Sequence, residues 1–321
     1  MNTNPRPLTK KEIDEILDRF STEIEDVVNK FAQNIEKTPP PTMIYHYTDD
    51  RGLAGILESG RIRLTEIFGL NDPTELRHGL SPALKLINAA RRDDRFEIKQ
   101  FSENIAAMLH GGIEQVAHFF VCSFSKSGDD LGQWRAYADN GRGFALGFDA
   151  APLEQAFARA NIAGASGHMT FPVTYEEVEL RRMHRQIVEK ALPLISLPRD
   201  RVFPTGTIDP YMSELLIRIC VPIIRAALFF KHSSYKNEQE YRFFQLFRAD
   251  VDVPDIKHLP RGYRLTRFRE FDWRAVAVDS LKRIVVGPAA SAKARQFAKE
   301  CLQRFHSGTV RIYRSRLPYR P

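Results

Sequence analysis

Glu238-Gln239-Glu240-Tyr241-Arg242 stands directly before the apolar run Phe243-Phe244-Gln245-Leu246-Phe247. In an extended segment side chains alternate faces, which predicts Glu238 and Glu240 on one side and Gln239 and Tyr241 on the other. Two like charges side by side at a strand entrance repel by about 0.2–1 kcal/mol, so the arrangement needs a reason. One is a solvated edge on which Arg242 or Lys236 neutralises the carboxylates; the other is a carboxylate held ready for a polar or cationic substrate group. Three further groups carry chemistry. His46 sits in Met43-Ile44-Tyr45-His46-Tyr47-Thr48, and Ser123 and Ser125 end the run that begins at His118. Trp134, Arg135 and Tyr137 lie in the polar connection 126–142, beside Asp129 and Asp130, where a loop has little reason to hold large aromatics without a ligand or a lid to serve.

The elements that must position these residues are readable from pattern. Residues 43–48, 118–125 and 143–149 are rich in aromatic and β-branched types and predict strands. Asp49-Asp50 caps a following helix with an apolar stripe at Leu53, Ile56 and Leu57 that stops at Gly60, and Ile62-Arg63-Leu64 predicts another short strand. Asn71-Asp72-Pro73-Thr74-Glu75 reads as an N-cap, a proline at the first helical position and a capping box. The tail reads strand (284–288), helix (290–305), strand (310–313), a βαβ unit. At the other end, Thr9-Lys10-Lys11-Glu12 is a capping box opening a helix whose apolar positions run from Ile13 to Ile35, with Leu17 to Phe31 spaced 3, 4, 3, 4. That helix is expected to pack on its own domain or to offer a face to a protein partner. Thr38-Pro39-Pro40-Pro41-Thr42 ends it as a stiff spacer.

The 43% hydrophobic and 27% charged content of the 321 residues is that of a globular chain with a sizeable core. No apolar run approaches the ~20 residues of a membrane helix and the start has no signal-peptide pattern, so the expectation is a soluble cytoplasmic protein without membrane partners. Cys122, Cys220 and Cys301 are far apart among apolar neighbours and the nine histidines are dispersed, which predicts buried reduced thiols and no metal. Of the net charge of +7, residues 257–321 contribute 16 Lys and Arg against 4 Asp and Glu. Such a region is the footprint of a surface that meets phosphates, in RNA, DNA or a nucleotide, or else a solvated face or the dock of an acidic partner.

The ordered succession Tyr-His-Tyr-Thr, Asn-Asp-Pro-x-Glu, Ser-Phe-Ser, Leu-x-Gln-Trp-Arg-x-Tyr, Gly-x-Gly-Phe-Ala-Leu-Gly-Phe and Glu-x-Glu-Tyr-Arg resembles a bacterial family known as domain of unknown function 2971, over about residues 43–316. A more distant likeness is to ADP-ribosyltransferases, which use a first strand bearing His or Arg, a second with Ser or Tyr nearby, and a late strand that opens with the catalytic Glu. His46 resembles the first element, Ser123 or Tyr137 the second and Glu240 the third. The resemblance implies an α+β fold with a split mixed β-sheet core; with the pattern read along the chain this gives an N-terminal helix and spacer over 1–41, a core over 42–280 with a helical insertion at about 176–230, and a basic C-terminal βαβ extension over 281–321 packed on the core. It implies NAD as substrate. Glu240 would stabilise the oxocarbenium-like cation formed when the nicotinamide–ribose bond breaks. Glu238, at the place typical of members that modify guanidino groups, would orient or deprotonate the acceptor. His46, with Tyr47 and Thr48, would hold the adenosine ribose, Ser123 and Ser125 would line the site, Tyr137 or Trp134 would stack on nicotinamide, and Arg135 or Arg142 would meet the pyrophosphate.

The resulting expectation is an NAD-dependent ADP-ribosyltransferase, a toxin or phage-defence effector acting on RNA, DNA or a protein, with an antitoxin or other protein at the N-terminal helix. Competing expectations are a nuclease using His46, Lys231 and Glu240, a thiol nucleophile at Cys122, and a non-enzymatic nucleic-acid-binding or antitoxin-like module in which the carboxylates only form ion pairs. No Gly-x-Gly-x-x-Gly or P-loop pattern is present.

Overall fold

The capping box at Thr9 closes as its spacing predicts. The Glu12 N–H donates to Thr9 Oγ1 at 3.2 Å, and the Glu12 carboxylate accepts from the Thr9 N–H at 2.8 Å. Those bonds, led by the one from the Thr9 backbone, hold the Glu12 carboxyl down at about 2. The computed structural model describes residues 6–35, 41–70, 73–90, 92, 94–160, 165–261 and 263–319. The Asp72 cap and most of the proline spacer lie outside them.

The helix so started, α1 (Lys10–Ile35), is followed by β1 (Met43–Thr48), α2 (Asp50–Ser59) and β2 (Arg61–Glu66). Next come α3 (Pro73–Ala90), α4 (Phe96–Gly111), β3 (Ala117–Ser125), α5 (Leu131–Tyr137), β4 (Phe144–Asp149), α6 (Ala150–Arg159) and β5 (Ala165–Pro172). Then α7 (Glu177–Ile195), α8 (Leu197–Asp200) and α9 (Ile208–Leu228) lead to β6 (Glu240–Arg248), β7 (Lys257–Arg261) and β8 (Arg264–Asp272). The last elements are α10 (Trp273–Ala277), β9 (Leu281–Val286), α11 (Ala294–Phe305) and β10 (Arg311–Arg314). Helices and strands thus coexist with a mixed sheet, an α+β architecture.

The chain divides into two units, each drawn from three stretches: a helical one (Met1–Lys37, Asp72–His118, Thr174–His232) and a sheet one (Thr38–Asn71, Phe119–Val173, Ser233–Pro321). In the helical unit α1 packs on α7 and α9. Ile13, Leu17, Phe20, Ile24, Val27 and Phe31 are all buried, so the 3-4 stripe is core. Arg218 of α9 locks the register by donating to Leu17 O (2.9 Å), Asp18 (3.0 Å) and Ser21 Oγ (2.6 Å). Helices α3 and α9 meet almost backbone to backbone, since a Cβ placed on Gly79 would lie 2.6 Å from Ala227 O.

Ten strands of the sheet unit are hydrogen-bonded among the described residues, in the order β10-β9-β4-β1-β3-β2-β8-β7, while β6 pairs with β3 and β5 pairs with β6. Because period-2 alternation gives each strand two faces, the register sorts the core. Ile44, Cys122, Phe124, Leu146, Tyr241, Phe243 and Ile284 share one apolar cluster with Leu53 and Leu57 of α2, and Tyr45, Tyr47, Trp134 and Val285 form a second on the other face. The predicted βαβ tail is present as β9-α11-β10, with β9 and β10 parallel. The apolar face of α1 is filled by α7 and α9, as its packing on its own domain would require, and β9 pairs with β4 and carries the sheet on to β10.

Candidate functional site

The strands bearing the singled-out motifs converge on the end of β3. Tyr45 of β1 lies opposite Ser125, and His46 Nδ1 is 3.2 Å from Ser123 O. Since a carbonyl only accepts, the neutral ring carries its proton on Nδ1, and Nε2 is left as an acceptor. Burial holds the His46 pKa below its ordinary value, with the bond to Ser123 pulling the other way. On the other side of β3, Ser125 Oγ donates to Glu238 O at 2.7 Å and Lys126 N–H donates to Gln239 O at 2.9 Å. Ser125 is buried and Ser123 is exposed.

The Glu-Gln-Glu segment is not extended, contrary to expectation. Glu238 ends a 3-10 helix (Ser233–Glu238), Gln239 adopts φ +44°, and β6 starts only at Glu240. The left-handed residue breaks the alternation, so the two carboxylates do not share a strand face. A non-glycine residue there costs about 1–2 kcal/mol, which the flanking bonds to Ser125, Lys126 and Lys236 offset. Within β6, residues two apart do share a face, and that is where the neutralisation occurs. Arg242 Nε and Nη2 grip Glu240 Oε1 and Oε2 at 2.7 and 3.1 Å, with both side chains almost fully buried. The pair was readable as Glu-x-Arg; its burial was not.

Alternation also separates residues expected together. Tyr45, Tyr47, Ser123, Ser125, Glu240 and Arg242 point to one face. His46 points to the other, edge-on to Phe124 at 5.6 Å, and Phe124 in turn packs on Phe243 at 4.8 Å. Thr48 crosses close over Gly52 at the start of α2, where a Cβ would collide with its Oγ1.

The connection 126–142 is a structural joint. Trp134 is fully buried, edge-on to Tyr47 at 4.8 Å, and donates Nε1–H to Asp129 at 2.8 Å, so it has no free face for a ligand ring. Tyr47 donates to Ser127 O and accepts from the Asp130 N–H, at 2.9 and 3.1 Å. Burial raises its pKa. Asp129 also accepts from Ser315 Oγ and the Arg316 N–H, at 2.5 and 2.9 Å. Sequence reasoning did not see this role of Asp129, because its partners are some 186 residues away. Arg135 and Tyr137 are exposed, while Arg142 pairs with Asp139.

The competing chemistries find less. Lys231 is in the helical unit, 3.7 Å from Glu75. All three cysteines are buried and free, and burial pushes the Cys122 thiol up, which suppresses the thiolate a nucleophile needs. No group of three His, Cys, Asp or Glu side chains suited to a metal ion occurs among the described residues. Nor is any described helix long and apolar enough to cross a membrane.

The architecture defines an α+β protein with a sheet-borne candidate site. Residues 133–243 match the model of a family described as a protein of unknown function, DUF2971. The matched stretch runs from α5 to the start of β6, taking in Trp134, Tyr137, Glu238 and Glu240 but not His46, Ser123 or Ser125, and is shorter than the 43–316 that the motifs suggested. No curated protein and no solved structure matches the chain.

Proposed function

We propose that the sheet unit is an NAD-dependent ADP-ribosyltransferase with Glu240 as its carboxylate. The observation that carries this reading is the meeting of the three motif strands at the end of β3: β1 through His46 and Ser123 O, and the β6 entrance through Ser125 Oγ and Glu238 O. In this reading the dinucleotide crosses the end of β3. His46 Nε2 accepts from a ribose hydroxyl on one face, and Glu240 stabilises the positive charge that develops at the anomeric carbon on the other. The nicotinamide–ribose bond breaks, nicotinamide leaves with the bonding pair, and the acceptor nucleophile forms the new bond to ribose and gives up its proton to the Glu238 carboxylate. Arg242 must then share or release Glu240 as substrate binds. Glu238, outside the strand, is on the acceptor side, and Tyr137 and Arg135 are the aromatic and cationic groups assigned to nicotinamide and pyrophosphate.

Incubation with radiolabelled NAD and cell extract tests the reading. Transfer or NAD cleavage is expected, and Glu240→Gln should abolish both. Turnover undiminished in that variant, or none in the wild type, sinks the proposal.

The closed Glu240–Arg242 pair favours a second reading, a non-enzymatic nucleic-acid-binding module. There the pair is purely structural, and Glu240→Gln lowers the unfolding midpoint without changing any binding.

A further inference from the structure

Many cations of the sheet unit are paired with carboxylates: Arg61 and Lys257 with Glu270, Arg142 with Asp139, Arg248 with Asp250, Arg267 with Glu66 and Arg242 with Glu240. The β9-α11-β10 segment differs from the rest of the unit in its balance of charge. Residues 281–319 hold nine Lys and Arg against a single acidic residue, Glu300. Lys282 reaches Asp149 at 3.7 Å, and Glu300 is engaged by Gln296 at 2.9 Å. Lys293, Arg295, Lys299, Arg311, Arg314 and Arg316 are all exposed, and among the described residues none has a carboxylate within ion-pair distance. A merely solvated face would be expected to mix signs, as the rest of the unit does.

Arg311 and Arg314 lie on β10, the terminal strand of the sheet, Arg316 follows it, and Lys293, Arg295 and Lys299 stand at the start and along α11, which packs on β10. Arg311 and Tyr313 point to one face, and Arg314, bonded to Ala290 O at 2.7 Å, points with Ile312 to the face that α11 covers through Ala298 and Cys301. Tyr313 is 42% exposed between two arginines, with the Arg283 guanidinium 5.7 Å from its ring centre. The following segment is fixed, because Asp129 holds Ser315 Oγ and the Arg316 N–H. Four of the six free cations are arginines, whose planar fork grips phosphate oxygens in pairs.

We propose that the β10 edge binds single-stranded nucleic acid, phosphates on the arginines and lysines and a base stacked on Tyr313. An unneutralised cationic rim calls for a polyanion, and a ring interleaved with arginines calls for exposed bases, which a duplex keeps stacked inside. That the bound strand is also the ADP-ribose acceptor rests on the transferase reading; the binding itself does not.

The test is fluorescence anisotropy without NAD, so that absence of transferase activity leaves its outcome untouched. Labelled RNA and DNA strands of about 20 nucleotides and the matching duplex are titrated from about 50 to 200 mM salt. Single strands should bind more tightly than duplex, with affinity falling steeply with salt. Each of Arg295→Glu, Lys299→Glu and Arg311→Glu should make the log–log salt slope shallower by about 0.7. Tyr313→Ala should weaken binding about fivefold or more, and Tyr313→Phe should restore it. Salt-independent binding, unchanged affinity in the triple charge reversal, preference for duplex, or displacement by polyglutamate as effective as by unlabelled strand would each overturn the proposal.

Discussion

Glu240 and Arg242 show how one residue can be read correctly as to partner and wrongly as to setting. Their spacing makes the ion pair legible, but the pair is dry, and a dry pair behaves differently from a solvated one. Arg242→Met should cost about 3–5 kcal/mol in urea unfolding, because it strands a buried carboxylate, while Glu240→Leu together with Arg242→Met should recover most of that loss. A double variant no more stable than the single one would show that the neighbourhood needs the charges. His46 and the fully buried His184 set a pH dependence. Burial lowers both pKa values, His184 to about 4 from 6.5, so the unfolded chain binds more protons in between. Stability is therefore fully present above about pH 6.5 and falls as the pH drops towards 4, by about 3 kcal/mol for His184. His184→Leu should flatten that part of the curve of unfolding free energy against pH.

At the level of elements, the turns carry the geometry. Gly143 opens β4 against β1, and a Cβ there would lie 2.2 Å from Thr48 O. Gly143→Ala is expected to destabilise by about 1–3 kcal/mol through backbone displacement, seen as a lowered thermal midpoint. At Gln239, φ +44° predicts opposite outcomes for two substitutions. Gly should be nearly neutral, relief of strain offsetting lost chain stiffness, whereas Val should cost about 1–2 kcal/mol. If both behave alike in chemical denaturation, the left-handed turn is not what positions Glu240. The strands 43–48, 118–125 and 143–149 and the βαβ tail were legible because alternating or continuous apolar runs between turn signals encode them locally. Gln239 was not, because neither neighbour demands φ > 0; its conformation is imposed by bonds from the end of β3.

Across the whole molecule, the first 37 residues belong to the same unit as 72–118 and 174–232. Seven large apolar side chains of α1 are buried, at about 1.5–3 kcal/mol each, a sum comparable with the entire stability of a domain. Deleting residues 1–37 should therefore abolish cooperative unfolding of the helical unit, read by circular dichroism melts; a truncated chain with an unaltered melt would return α1 to the role of a partner-binding arm. The charge asymmetry is equally a property of the whole. The sheet unit carries 26 Lys and Arg against 18 Asp and Glu, the helical unit 21 against 22, so the excess seen along the sequence resides in one unit.

By itself the sequence determined the strands 43–48, 118–125 and 143–149, the βαβ tail, the capping box at Thr9, the apolar faces of α1 and of the strands, and the basic tail, all of which follow from local propensity and periodicity. Only the tertiary structure decided that Glu238 and Glu240 part company, that His46 and Glu240 leave opposite faces of the sheet, that Trp134 is a buried anchor, and that Asp129 ties the 126–142 connection to residues 315–316. The reason is physical. Which face a side chain takes depends on where a strand starts and what it pairs with, and those are set by hydrogen bonds between residues far apart in the chain, 77 positions for His46 and Ser123 and 113 for Ser125 and Glu238.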